Sequence, residues 1–371
     1  MKQNLLLQLL RRELWQTDED CDLQWSQVNA LLIAAEDQAV EGLILHALLK
    51  SGVLQGHEDE YYDAIGVIAQ IQQENDLVNK QLDAFETMMA EVPHVVVKGQ
   101  MVARYYPDGS LRQSGDIDFY CAPAHYRGAK ALLSSVQAIE WQESDSYKHE
   151  VFVWNEVLFE MHASLMTFFA RSHQRYWDNN VEPHVAEATE EVVYVFAHLF
   201  HHFIVGGVGL KQFCDLAMTI HHYRDELDVE RLQSHLEALG LLAAFRAVGW
   251  VLVNALGLPE DEFPFKISAI NAKRGTAILE DVLKMGCFGA NVREQGKTGI
   301  WLSLETARIV TRQVFRYYQT APLELTCILP KMAVLNVKKY CFKLRRNRSI
   351  AALTRKAVLK ISRPTLLFER K

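Results

Sequence analysis

The stretch that decides the fold runs Val95-Val96-Val97-Lys98-Gly99-Gln100, through Arg104-Tyr105-Tyr106-Pro107, to Leu111-Arg112-Gln113-Ser114-Gly115-Asp116-Ile117-Asp118-Phe119. Its β-branched run, His94 to Val97, predicts a strand that ends in a turn at Lys98-Gly99. A short helix over Met101 to Tyr106, stopped by Pro107, a loop at Asp108-Gly109-Ser110 and a second strand over Asp116 to Cys121 follow. Strand side chains alternate faces, so Asp116 and Asp118 project together while Ile117 and Phe119 enter the opposite layer. Two carboxylates about 7 Å apart, at roughly 3.3 Å of rise per residue, would repel one another and lose hydration in a core. On a cleft wall they suit one or two divalent ions. Asp-x-Asp alone is a weak signal, because a solvated strand face or a loop N-cap is a commoner source of it.

Outward from this segment the character changes on both sides. Upstream, residues 1–91 read as a helical region, clearest in Ile68, Ile71, Asn75, Val78, Leu82, Phe85 and Met89, a stripe with only Asn75 polar. Downstream, Pro123 opens a helix to about Gln137, and two strand-like runs, Lys148 to Trp154 and Val157 to His162, flank the turn pair Asn155-Glu156. After about Thr167 helix periodicity returns, with segments near Glu190–Val205, Leu210–Arg224, Val229–Gly240, Leu241–Leu256 and Ala272–Leu283. A Gly-rich loop, Gly286 to Gly299, and an amphipathic region, Trp301 to Tyr318, complete it. The expected architecture is α+β: a small mixed-sheet domain at 92–166, framed by helical regions at 1–91 and 167–325, with a basic tail at 326–371.

The chain has 371 residues, 49% hydrophobic and 23% charged, an ordinary globular balance. Its six cysteines are far apart, with no CxxC pair, which argues against a disulfide framework or a zinc knuckle and suits a reducing cytoplasm. The N-terminal apolar stretch is short and interrupted by Gln8, and so reads as a helix, not a secretory signal. Leu239 to Leu258 approaches the apolar length of a membrane span, but Arg246 near its centre and three glycines favour a buried helix, and no transmembrane span is expected. The net charge of −7 is uneven: residues 331–371 hold 13 Lys/Arg against the single acid Glu369. Such a tail suits nucleic acid, anionic lipid or an acidic partner, or neutralises the acidic body; these readings stay open.

A glycine turn after a strand, a spacer and then Asp-x-Asp resembles the nucleotidyltransferase superfamily with the DNA polymerase β-like fold. More narrowly, Lys98-Gly99, Tyr105-Tyr106-Pro107, Leu111-Arg112 and Gly115-Asp116-Ile117-Asp118 resemble the uncharacterised bacterial nucleotidyltransferase family over about 75 residues, and more distantly the abortive-infection and toxin-type nucleotidyltransferases. The resemblance implies transfer of a nucleoside monophosphate from an NTP, with Mg²⁺ or Mn²⁺, to an unknown acceptor: small molecule, protein or RNA. It also implies a third carboxylate from a later strand, for which Glu160 in Phe159-Glu160-Met161-His162 is the candidate; the plainer reading is a solvated strand acid. Asp116, Asp118 and Glu160 are thus the expected catalytic and metal-holding residues. Lys98, Gly99, Arg112, Ser114, Lys211 and Asp215 are the expected nucleotide-binding ones. Lys98 and Arg112 serve equally well as structural partners of the aspartates, and His162, His198 and His202 as hydrogen-bonded or packing histidines beside the site. Gln100 departs from the superfamily, which places a second Gly or Ser there. Two other functions therefore stay in view: a nucleotide-binding scaffold that has lost turnover, and a tRNA-end enzyme using the basic tail.

Overall fold

Leucines at helical spacing near the N-terminus and the Ile68–Met89 stripe form four helices, α1 (Lys2–Trp15), α2 (Trp25–Asp37), α3 (Glu41–Ser51) and the 32-residue α4 (Glu58–Met89). The computed structural model describes residues 2–17, 21–142, 149–287 and 299–334. The α/β segment follows as β1 (Val95–Val97), α5 (Gly99–Ala103), β2 (Asp116–Tyr120), α6 (Pro123–Ser134), β3 (Ile139–Gln142), β4 (His149–Trp154) and β5 (Val157–His162). These strands make one sheet in the order β1-β2-β5-β4-β3, parallel only between β2 and β5. The architecture is α+β, as expected.

Three elements of this segment differ from expectation, the first being α5, which spans Gly99–Ala103 and not Met101 to Tyr106. Helix α6 stops at Ser134, before Gln137, and the edge strand β3 was not anticipated. β3 has only four residues and one fully buried side chain, Ile139, so period-2 alternation is too short to read; pairing with β4 and the ring of Trp141 against Phe152, 5.0 Å apart, hold it in place. The remaining helices are α7 (Arg171–Asn180), α8 (Ala188–Val205), α9 (Leu210–His222), α10 (Val229–Ala238), α11 (Leu242–Trp250), α12 (Ala269–Met285) and α13 (Gly299–Tyr317), with helix again at 322–334. α11 runs into a π-helical turn, Val251–Ala255, and Gly249 leaves room for the Phe263 ring, which a Cβ would meet at 1.9 Å. Among the described residues no single helix is long and apolar enough to cross a membrane; α10 and α11 reach that composition only as a pair bent by 119°. The Gly-rich loop beyond residue 287 and the basic run beyond residue 334 lie outside the described residues.

Two hydrophobic cores result, and α4 serves both. Ile68 belongs to the core of the N-terminal helices and α8–α11, whereas Val78, Leu82, Phe85 and Met89 pack on the back of the sheet against Ile117, Phe119, Phe152 and Phe159. Asn75, the polar break in the stripe, lies between them and is 2% exposed. Its amide donates to Ser110 O at 2.8 Å and Arg112 O at 2.9 Å, and its Oδ1 accepts from Gln100 Nε2 at 2.9 Å. One side chain thereby fixes the loop before β2 and the start of α5. Asn75→Ala strips three groups, two buried and one part-buried, of their partner, so it should destabilise the fold by roughly 3 kcal/mol, at about 1 kcal/mol or more per group. Chemical denaturation of the variant checks this, and a loss below about 0.5 kcal/mol would mean that water replaces the amide.

Candidate active site

The turn after β1 is built by backbone that few residues adopt. Lys98 sits at φ 56°, ψ −150° and Gly99 at φ 44°. For lysine this geometry costs on the order of 1–3 kcal/mol and persists only where surroundings enforce it. At Gly99 a Cβ would also stand 3.2 Å from Asp116 O, so the turn can press against β2 only with glycine there. The turn sends the Lys98 side chain back over the sheet, where its Nζ lies 3.0 Å from Asp118 Oδ2 and 3.2 Å from His198 Nε2 on α8.

The sheet brings the three carboxylates together. β2 alternation buries Ile117 and Phe119 behind the sheet and leaves Asp116 and Asp118 in front, while parallel pairing sets Asp118 directly beside Glu160. Carboxylate oxygens of Asp116, Asp118 and Glu160 lie within 4.8 Å of one another. His162, two residues beyond Glu160 on the same face, places Nε2 2.8 Å from Asp118 Oδ1 and 3.4 Å from Glu160 Oε2.

The environments of the two aspartates differ. Burial would raise the Asp118 pKa, but the Lys98 ammonium and the His162 hydrogen bond outweigh it and hold the carboxyl well below its usual range. Asp116 has no such partner: burial and the neighbouring Asp118 charge raise its pKa. The hydrogen bond from His162 lowers Glu160, and although burial opposes it, the contacts with Asp118 and Glu160 raise His162 in return. Asp118 is thus the satisfied carboxylate, and Asp116 the one on which burial and the Asp118 charge outweigh the pull of Lys98 and Lys211.

All nine expected site residues line one cleft of about 320 Å³ between the front of the sheet and helices α8 and α9, together with His198 and His202. They do not all present free charge there. Arg112, expected beside the phosphates or the catalytic aspartates, instead grips Asp215 in a bidentate pair, Nε to Oδ1 at 2.7 Å and Nη2 to Oδ2 at 2.8 Å, with Nη1 donating to Ser114 Oγ at 3.1 Å. Tyr106 donates a further 2.7 Å hydrogen bond to Asp215. Burial would raise Asp215, yet Arg112 keeps it lowered. Lys211 is held by Gln113 O at 3.3 Å, and burial and the nearby Arg112 lower its pKa. Gln100 points away from the cleft into its bond with Asn75. A residue that sequence reading passed over, His149, lies beside Glu160 and His162. Its position was legible: a two-residue turn at Asn155-Glu156, both at positive φ, fixes a register in which His149 faces His162.

The two aspartates should respond oppositely to neutralisation. A raised carboxyl pKa contributes stability while the group is protonated, below about pH 3.9, and loses it as pH rises through the folded-state value. At neutral pH without divalent ions, Asp116→Asn should therefore raise the melting temperature, with the gain vanishing toward pH 3. Asp118→Asn breaks a buried pair and should cost about 3 kcal/mol, less than a fully dry pair because the Lys98 side chain is 21% exposed. Thermal melts from pH 3 to 8 separate the cases, and equal shifts in both variants would refute the asymmetry.

Comparison of the chain with curated proteins and with solved structures gives no match. A family model described as uncharacterised nucleotidyltransferase matches residues 25–257, from α2 through the sheet and the cleft helices to the end of the π-helical turn. With the turn, the paired strands and the cleft all inside the matched span, the chain belongs to the uncharacterised nucleotidyltransferase family.

Proposed function

We propose that the chain transfers a nucleoside monophosphate from an NTP to an acceptor hydroxyl, with pyrophosphate leaving, in the cleft between the sheet and α8–α9. The observation that carries this reading is the convergence of Asp116, Asp118 and Glu160, from two neighbouring parallel strands, to within 4.8 Å beside the Lys98-Gly99 turn. The donor set fits a hard divalent cation: three carboxylates, all oxygen, with the Asp116 charge only partly offset by Lys98 and Lys211. Mg²⁺ or Mn²⁺ held there would screen triphosphate charge and polarise the phosphoryl oxygens.

The chain's own groups supply the rest. The Gly99 turn lets backbone approach a phosphate without steric hindrance, and Lys211, on the far wall with its ammonium on Gln113 O, adds a positive charge beside the cleft. The Arg112–Asp215 pair positions: it ties the loop before β2 to α9, so that Ser114 and Lys211 keep their places. Glu160, whose side chain is 25% exposed against 5% for Asp118, faces the open side and takes the proton of the acceptor hydroxyl. The scaffold alternative leaned on Gln100, but a glutamine turned toward Asn75 takes no space from a phosphate, so that support falls away.

Incubation with each labelled NTP, Mg²⁺ or Mn²⁺ and a cell extract should label an acceptor in the wild type and not in Asp116→Ala. Labelling that survives the substitution would overturn the assignment. Glu160→Gln should lower turnover by about 10²- to 10⁴-fold while changing the NTP dissociation constant less than about tenfold, because a proton acceptor matters mainly as the acceptor oxygen becomes nucleophilic. Full turnover in this variant would remove Glu160 from the chemistry.

A further inference from the structure

Beside the carboxylate triad the sheet carries a second set of donors, with different chemistry. The hairpin register pairs His149 directly with His162, and Glu160 is on the same face one step along β5. Their donor atoms lie within 4.8 Å of one another: His162 Nε2 is 3.4 Å and His149 Nε2 3.8 Å from the same oxygen, Glu160 Oε2. The two imidazole centroids are 5.1 Å apart.

We propose that His149, Glu160 and His162 form a transition-metal site, of the kind that takes Zn²⁺, and that its occupancy withdraws Glu160 from the carboxylate triad. Bonds of about 2.0–2.1 Å to a tetrahedral ion set ligands roughly 3.3–3.4 Å apart. The His162–Glu160 separation already has that length, His149 has a few tenths of an ångström to close on the same Glu160 oxygen, and the two imidazole nitrogens start within 4.8 Å of one another. Two imidazoles and one carboxylate, with a fourth position left to water, are the ligands of open zinc sites; imidazole suits zinc, whereas Mg²⁺ prefers oxygen alone. Side-chain exposures of 26% at His149 and 25% at Glu160 leave an entry path.

Occupancy is coupled to the neighbouring site through two atoms. His162 Nε2, which bonds Asp118 Oδ1 at 2.8 Å, would turn its lone pair to the ion, and Glu160 Oε2 would be committed to it. Zinc therefore acts as an inhibitor that binds beside the nucleotide and not in its place. This coupling rests on the function proposed above; the metal site itself does not.

The full-length protein, titrated with Co²⁺ as a spectroscopic probe, should develop the strong visible absorption of a tetrahedral nitrogen-ligated ion, displaced by one equivalent of Zn²⁺. Loss of a group that only hydrogen-bonds a metal's ligand weakens such sites about 10- to 100-fold, so His149→Ala, which removes a direct ligand, should weaken binding by at least about tenfold. Asp116→Asn, outside the donor set, should leave the absorption intact. Zn²⁺ should then inhibit the wild type at concentrations that spare His149→Ala. Equal Co²⁺ spectra and affinities in the wild type and His149→Ala would overturn the site, and His149→Gln, of similar polarity at this partly exposed position, repeats the test should the alanine variant fold poorly. Failure of NTP binding with an intact Co²⁺ signal would strike the proposed function and leave the metal site standing.

Discussion

The ion pair between Lys98 and Asp118 holds the front of the sheet in order. A carboxylate as buried as Asp118 is destabilising by several kcal/mol unless a cation and hydrogen bonds compensate, and Lys98 and His162 occupy its two oxygens. Lys98 reaches it only because the chain takes a backbone conformation natural to glycine, and Gly99 must then lie against Asp116 O. β5 must pair parallel with β2 in one register to set His162 within reach. Turn, strand register and buried charge therefore stand or fall together.

A second pair does for the helices what Lys98–Asp118 does for the sheet. Arg112 and Asp215, 103 residues apart, join the loop before β2 to α9, and Tyr106 closes the same group from α5's side. Asn75 holds that loop from beneath through the carbonyls of Ser110 and Arg112. The segment that leads into the aspartates is thus fixed by side chains on both sides, which suits a site whose donor oxygens must keep their separation without being crowded into a core.

Much of this was legible because it obeys local periodicity. Alternation put Asp116 and Asp118 on one face of their strand and Glu160 with His162 on one face of theirs, the family resemblance implied that Glu160 joins the aspartates, and the two-residue turn bounded β4 and β5. What escaped depends on partners distant in sequence. Nothing near Arg112 points to Asp215, and the break at Asn75 gave no sign that it would meet Gln100, because hydrogen-bond partners are chosen by tertiary packing, which periodicity does not encode. β3 escaped for another reason: a four-residue edge strand has too little pattern to exceed the helix signal before it. His149 was recoverable, since a hairpin turn fixes every opposing pair by arithmetic, but a histidine in a strand attracts notice only once His162 is known to face it.

The charges of the cleft bear on what it can hold. Among the described residues that line it, Lys98, Arg112 and Lys211 stand against Asp116, Asp118, Glu160 and Asp215. Arg112 is spent on Asp215 and Lys98 on Asp118, and even a protonated His162 brings the set only to neutrality. A triphosphate adds several negative charges in a space of about 320 Å³, partly shielded from water, where like charges a few ångströms apart repel by on the order of 4 kcal/mol per pair at an effective dielectric of about 20. One ammonium, Lys211, is too little to offset that. A nucleotide can therefore enter this cleft favourably only with cations of its own, and the carboxylate already destabilised by its surroundings, Asp116, is the one that gains most from meeting them.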